Sequence, residues 1–269
     1  MSKKIAFVGG GNMAEAVLAG LVRNQTVSPG DILVTEKNPE RRAFLEKKYN
    51  IATTDDNTQA PRQSKTILLA VKPYILADIK DEIKSHLSED HVVISILAGI
   101  SCEKLGDALG YVQRIVRVMP NLPAQVGMGV SAISFPQSFP SQDRDWVRSI
   151  LESTGRVVEV EEPLQDAVTA VSGSGPGYLF YLVDLFIQAA VQQGLSESVA
   201  KSLVVETMAG AAEVLRISDD SPAELVKKVA TPGGTTEAGL SALKESDLSG
   251  IMQLMVNRAA ARSKELNLA

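Results

Sequence analysis

Two glycine-rich stretches in this sequence are suited to holding anions. Near the N-terminus, Gly9, Gly11 and Ala14 stand in a G-x-G-x-x-A spacing within VGGGNMA. Gly9 permits a tight turn, Gly11 has no Cβ to keep a pyrophosphate from the backbone, and Ala14 is the small third position where a helix packs on a strand. Far downstream, Thr231-Pro232-Gly233-Gly234-Thr235-Thr236 sets backbone N–H groups and threonine hydroxyls at the start of a helix. That is a cradle for a small carboxylate, or otherwise a plain helix–helix turn. Acid–base side chains are scarce. His86 and His91 share one polar stretch, SHLSEDHV, and read as solvated loop residues, so any chemistry here does without histidine. Cys102 is the only cysteine, which excludes an intrachain disulfide and a cysteine metal cluster. No metal site is expected.

The elements that must position these residues follow from the hydrophobic pattern. Ile5–Val8 is an apolar run suited to a buried strand, and Met13, Val17, Leu18 and Leu21 recur on one helical face after the glycines. Strand, glycine turn and helix make the context of a dinucleotide site, with the helix dipole favouring phosphate. Asp31–Thr35 reads as a second strand, and Glu36 after it lies about twenty residues past the loop, where an acid bonds the adenosine ribose. Lys37, Asn38, Arg41 and Arg42 follow at once and suit a ribose 2′-phosphate instead, so the two signals oppose each other.

Further strands are read at Thr66–Val71, Val92–Ile96, Arg114–Val118, Gly127–Ser134 and Arg156–Val160. Amphipathic stretches at about Tyr74–Leu87 and Ser101–Leu109 lie between them, and Ser141 is read as capping a helix to Ser153. Alternating strands and helices predict a doubly wound, mostly parallel sheet of Rossmann type, whose ligands lie beyond the carboxyl ends of the strands. Three of those ends, AVKP, LAG and MPN, carry the small residues, prolines and amides that a flat nicotinamide ring and its ribose need nearby. After Glu161-Glu162-Pro163 the pattern turns all-helical. The stretch Gly175–Gln193 is apolar on most sides, which marks a helix buried in a core or an interface. Ser196 and Ser221-Pro222 open further helices, Ala209–Ala212 is small enough for close helix approach, and a last helix follows Asp247. The expected division is a nucleotide-binding domain over 1–162 and a helical dimerisation and substrate domain over 163–269.

The 269 residues carry a net charge of −5 with no Lys/Arg run, which argues against a nucleic-acid partner. No apolar run reaches the roughly 20 residues of a membrane helix, and the opening MSKK passes straight into a strand without a signal peptide. A cytoplasmic protein is expected.

With these residues assembled, the chain resembles the pyrroline-5-carboxylate reductase family, which makes proline in the last step of its biosynthesis. The resemblance is carried by VGGGNM at Val8–Met13, AVKP at Ala70–Pro73, LAG at Leu97–Gly99 and MPN at Met119–Asn121. It continues through SGSGPGY at Ser172–Tyr178 and TPGGTTEAG at Thr231–Gly239, in the family's order and over nearly the whole chain. It implies an all-α C-terminal dimerisation domain joining dimers, or rings of dimers. It also implies a cofactor set of Val8, Gly9, Gly10, Gly11, Asn12 and Met13 with Ala70, Val71, Lys72 and Pro73, completed by Lys37, Asn38, Asn57, Ala98 and Gly99. Met119, Pro120, Asn121, Thr231, Gly233, Gly234, Thr235 and Thr236 form the expected substrate set, with Thr236 as the catalytic hydrogen-bond partner of the ring nitrogen. The expected cofactor is NADPH, with NADH possible. Two departures stand out: Thr231 replaces a common serine, and Glu36 stands where the family is often small and neutral.

The implied substrate is a cyclic imine bearing a carboxylate. A protonated imine is already a strong electrophile, so placing C4 of the nicotinamide near its carbon does most of the work. Two rivals use the same glycine loop. One is another imine or β-hydroxyacid-type reductase with a lysine or aspartate acid on a central helix, but here Asp184 is the only charged side chain of the long apolar helix and no lysine lies one turn away. The other is a nucleotide-sensing module without turnover.

Overall fold

The apolar runs of the first half fold as one sheet. A computed structural model describes residues 3–110 and 114–268. The chain runs β1 (Ile5–Val8), α1 (Asn12–Arg23), β2 (Ile32–Thr35), α2 (Pro39–Tyr49), β3 (Ala52–Thr54), α3 (Gln59–Gln63), β4 (Thr66–Leu69), α4 (Leu76–Lys84), β5 (Val92–Ser95), α5 (Cys102–Leu109) and β6 (Ile115–Met119). It continues through β7 (Gly129–Ser134), α6 (Ser141–Glu152), β8 (Gly155–Glu159) and α7 (Gln165–Val168). The strand order is β3-β2-β1-β4-β5-β6-β7-β8, parallel throughout except for the antiparallel β6–β7 pair.

Alternate residues of β1 enter opposite cores, because strand side chains alternate between faces. Ile5 and Phe7 pack with Val17, Leu18 and Leu21 of α1 and with Ile150 and Leu151 of α6. Ala6 and Val8 pack with Ile79 and Ile83 of α4 and with Leu105 and Leu109 of α5. A strand covered on both faces reads as a continuous apolar run, which is why these strands stand out in the sequence. The strand order reverses between β1 and β4, and there Val8 is level with Thr35 of β2 and Leu69 of β4. Gly9, Glu36 and Ala70 therefore emerge side by side, at the crevice where doubly wound sheets bind ligands.

Some expectations are corrected. The strand β3 and helix α3 carry no long apolar run and were not read; β3 is an edge strand, exposed at Ala52. Ser141 is the first helical residue rather than the cap, since Pro140 holds the cap position without a side-chain hydrogen bond. His91 is buried, not solvated: its Nδ1 accepts from the Ser88 N–H at 2.9 Å and its Nε2 meets the Pro61 carbonyl at 2.9 Å.

After α7 a π-helical turn, Thr169–Gly173, leads to α8 (Gly175–Gln192), α9 (Glu197–Ile217), α10 (Pro222–Val229), α11 (Thr235–Glu245) and α12 (Leu248–Leu268). Two compact units result. One is the sheet unit, comprising the described residues as far as Ser174 and those from Arg258 onward; the other is the helical unit, Gly175–Asn257. Within the sheet unit, Ser263 of α12 donates to Asp166 at 2.7 Å, and Asp166 faces the buried Arg117 of β6 at 3.5 Å. Arg117 also lies 3.8 Å from Glu162, so the end of α12 is tied to the sheet through charged side chains.

The helical unit has the expected caps: Ser221 and Glu224 form a reciprocal capping box at α10, and Ser196 caps α9. Its apolar surface is not covered within one chain. Phe180, Tyr181 and Phe186 of α8 are 59%, 64% and 55% exposed, and Leu203, Leu215 and Leu254 are exposed as well. An apolar area of this extent marks a protein–protein contact.

Candidate functional site

The glycine loop is shaped by the residues behind it. Gly9 has φ +98, and a Cβ there would lie 2.9 Å from the Ala70 carbonyl oxygen, so the loop's first turn accepts only glycine. Gly11 caps α1 with no side-chain hydrogen bond, and a Cβ on it would meet no atom within 4 Å. The first turn of α1 thus faces open space with its N–H groups uncapped by any side chain. A pyrophosphate fits this opening, because N–H donors and the positive end of the helix dipole converge on it.

The cations expected around the adenosine are engaged. Arg41 donates from Nε to the Gly10 carbonyl at 2.6 Å and from its guanidinium to Glu15 at 2.5 Å. Glu15 also accepts from Lys48 and from the Tyr49 hydroxyl, each at 2.8 Å. Burial would raise its pKa, but the bonds from Lys48, Tyr49 and Arg41 outweigh this and hold it at about 2. Lys37 lies 3.8 Å from Glu82, and Arg42 donates to the Glu36 and Lys37 carbonyls at 2.7 and 2.9 Å. The Asn38 side chain caps α2, accepting from Glu40 and Arg41. Asn57 is buried, its oxygen accepting from Thr35 at 2.7 Å and its amide donating to Glu82 at 2.8 Å. Glu36 accepts from the Gly10 N–H and from the Asn38 N–H, each at 2.9 Å.

Two of the other strand ends border one cavity, and the third does not. Pro73 of AVKP and Ala98 of LAG line a cavity of about 740 Å³ together with Tyr74, Ile100, Lys104 and Leu266. Gly99 lies against α12, where Leu266 Cβ is 2.8 Å from the place a Cβ on Gly99 would take. At the third end, the Asn121 oxygen accepts from the Val130 N–H at 2.9 Å and its amide lies 3.4 Å from the Ser172 hydroxyl. Its side chain therefore fastens the end of β6 to β7 and to the π-helical turn. Gly173 makes room for Met119, whose Cε would stand 2.3 Å from an added Cβ. The MPN and SGSG segments are thus one packed assembly.

In the helical unit, Gly233 has φ +72 and turns the chain into α11, whose cap is Gly234. The Gly233 N–H donates to the Glu237 carboxylate at 2.7 Å, so this backbone group already holds a carboxylate oxygen. Thr235 is exposed, while Thr236 is half-buried at the rim of a cavity of about 600 Å³ lined by Leu225, Val226, Val229 and Leu240. Among the described residues, no three His, Cys, Asp or Glu side chains are grouped to hold a metal ion, and no helix is long and apolar enough to cross a membrane. Cys102 is buried beside Glu162, and burial pushes its thiol up to about 12.

The sequence reading missed the Glu15–Arg41–Lys48–Tyr49 cluster and the role of Glu237. The second had a signal, an acid at the third helical position after a glycine cap. The first had none, since its members lie 26 or more residues from Glu15 and meet only through the packing of α2 against α1.

A glycine loop at a strand-order reversal, opening on an uncapped helix, defines a Rossmann-type dinucleotide-binding protein. A family model described as pyrroline-5-carboxylate reductase dimerisation matches residues 162–266, and one described as NADP oxidoreductase, coenzyme F420-dependent, matches residues 4–99. The chain is 38% identical, over 99% of both chains, to a pyrroline-5-carboxylate reductase of Synechocystis sp.. It belongs to the pyrroline-5-carboxylate reductase family. Among solved structures it is similar to a pyrroline-5-carboxylate reductase of Coxiella burnetii, at TM-score 0.91, 33% identity and 99% coverage of both chains. It is also similar to the Plasmodium falciparum pyrroline carboxylate reductase with NADP bound, at TM-score 0.89, 29% identity and 98% coverage of both.

Proposed function

We propose that this chain transfers a hydride from NAD(P)H to the C=N bond of 1-pyrroline-5-carboxylate, giving L-proline. It is an NAD(P)H-dependent oxidoreductase. The observation that carries this reading is kinship over the full length of both chains with relatives bearing that name, because fold alone does not imply function.

The residues divide the work. Val8–Met13 and the uncapped start of α1 hold the pyrophosphate, and Ala70–Pro73, Ala98 and Gly99 shape the nicotinamide end. Lys37, Asn38 and Asn57 border the adenosine end, where their side chains already brace the protein. NAD(P)H supplies the hydride from C4 of its dihydronicotinamide ring. Thr231 and Gly233–Thr236 form the cradle for the substrate carboxylate, which takes the place that Glu237 holds on the Gly233 N–H and meets the N–H groups at the start of α11, and Met119–Asn121 complete the substrate set. Thr236 hydrogen-bonds the ring nitrogen and orients the C=N bond. As the new C–H bond forms at the carbon of the protonated imine, the C=N π pair becomes the nitrogen lone pair and the existing N–H bond is retained, giving a neutral secondary amine; an imine bound unprotonated would take that proton from water. No histidine is needed for this step, in keeping with the engagement of His91 by Ser88 and Pro61.

The protein is a homodimer through its dimerisation region, which accounts for the exposed apolar face of α8. Higher assembly as a ring of dimers, a cytoplasmic location and the division at residue 162 belong to the same proposal. The test is the loss of reduced-nicotinamide absorbance on adding pyrroline-5-carboxylate, with proline quantified chromatographically. Binding of NAD(P)H without any turnover of the imine would leave the sensing-module reading instead.

A further inference from the structure

The adenosine end of the nucleotide site carries a fixed negative charge. Glu36 follows β2 directly and emerges level with Gly9. Its two carboxylate oxygens are held by two backbone donors on opposite sides, the Gly10 N–H from the loop and the Asn38 N–H from the start of α2, both at 2.9 Å. A carboxylate has about four acceptor positions, so each oxygen retains capacity for a further donor.

The neighbouring cations are each committed elsewhere. Arg41 is bound to Glu15 and to the Gly10 carbonyl, and Lys48 to Glu15. Lys37 faces Glu82, and Arg42 is turned to two carbonyls and lies 3.8 Å from Asp55. Four cations thus stand among four carboxylates: Glu15, Glu36, Glu82 and Asp55. A phosphate monoester, with a charge of about −1.5 to −2, would meet a fixed carboxylate with no surplus positive charge. A ribose diol would meet it as two O–H donors facing a held acceptor, which is the favourable pairing.

We infer that Glu36 is the residue that sets cofactor discrimination in this chain: it accepts the free ribose diol of NADH, disfavours the 2′-phosphate of NADPH, and so opens the enzyme to NADH. This rests on the NAD(P)H-binding reading of the glycine loop. The test is equilibrium binding of NADH and NADPH, followed by nicotinamide fluorescence in the absence of imine, to the full-length wild type, Glu36→Gln and Glu36→Ser. Both variants should lower the ratio Kd(NADPH)/Kd(NADH) by about tenfold or more, as expected from removing a like charge at close range. In the wild type alone, 5′-AMP should displace NADH more strongly than 2′,5′-ADP, which differs from it only by the 2′-phosphate, a measurement that needs no variant to fold. An unchanged Kd ratio in folded variants, or stronger displacement by 2′,5′-ADP, would overturn the assignment. A wild type that binds neither dinucleotide would remove the nucleotide reading itself, and the assignment with it.

Discussion

Arg41 Nε donates to the Gly10 carbonyl oxygen at 2.6 Å, while its terminal nitrogen is bound to Glu15 at 2.5 Å. One guanidinium on α2 thereby fixes the middle of the glycine loop from behind. Its role is to shape the loop, although its position after β2 also suits recognition of a 2′-phosphate. Arg41→Ala should therefore weaken NADH and NADPH binding to a similar degree. Loss of a charged hydrogen bond worth about 1.5–3 kcal/mol corresponds to roughly ten- to a hundredfold. Parallel titrations with the two cofactors check this, and a loss confined to NADPH would assign Arg41 to the phosphate.

Glu15 gives the fold a pH-dependent component of known sign. Its pKa is about 2, below the ordinary 4.5, so the folded state binds the proton less readily than the unfolded chain. The stabilisation is complete above about 4.5 and is lost as pH falls through about 2. Glu15→Gln should lower Tm at neutral pH and flatten the dependence of stability on pH across that window. Thermal melts at several acid pH values report both effects.

The two functional glycines of the loop should respond differently to the same change. Gly9→Ala places a methyl 2.9 Å from the Ala70 carbonyl at φ +98, so it should lower Tm as well as abolish cofactor binding. Gly11→Ala meets no protein atom within 4 Å. It should leave Tm nearly unchanged while NAD(P)H binding is lost, because its methyl projects into the space assigned to the pyrophosphate. A Gly11→Ala protein that bound cofactor normally would place the pyrophosphate elsewhere.

Cys102 should be chemically silent. Its thiol is buried, pushed up to about 12, and in contact with the Ile115 carbonyl. Iodoacetamide at neutral pH should modify it slowly in the native protein and quickly after denaturation, as mass spectrometry would record. The same contrast reports the intactness of the tie between α5 and Glu162, whose carboxylate accepts from the Cys102 N–H at 2.7 Å.

Much of the fold was legible because its signals are local. The doubly buried strands β1, β4 and β5 appear as unbroken apolar runs, and Ser196 and Ser221 mark the helix starts they cap. The glycine loop was legible because Gly9 and Gly11 answer a backbone requirement rather than a packing one. The edge strand β3 has no buried face to write into the sequence, and Ser141 lost the cap to Pro140 although its residue type suits it. The apolar girth of α8 was read as burial in a core or an interface. Within one chain its large apolar side chains are exposed, which leaves the interface, in line with the dimerisation domain expected for this half of the chain. Charge partners such as Glu15 and Arg41 are set by helix packing, which leaves no periodic trace.

Thr236 should matter to the imine and not to the cofactor. Thr236→Ala should lower kcat/KM for pyrroline-5-carboxylate by roughly ten- to a hundredfold, the range of a charge-assisted hydrogen bond. Thr236→Ser should recover most of that loss, and NAD(P)H affinity should not change in either variant. Wild-type efficiency in Thr236→Ala would confine the role of the loop to its backbone N–H groups.

Hydride transfer to the ring carbon is the central claim, and isotope transfer tests it most directly. The wild-type enzyme would be given unlabelled pyrroline-5-carboxylate and NAD(P)H dideuterated at C4, and the product analysed by mass spectrometry and NMR. The account predicts proline carrying one deuterium, located on the ring carbon that had been part of the C=N bond. Absence of proline, or proline with no deuterium at that carbon, would contradict it.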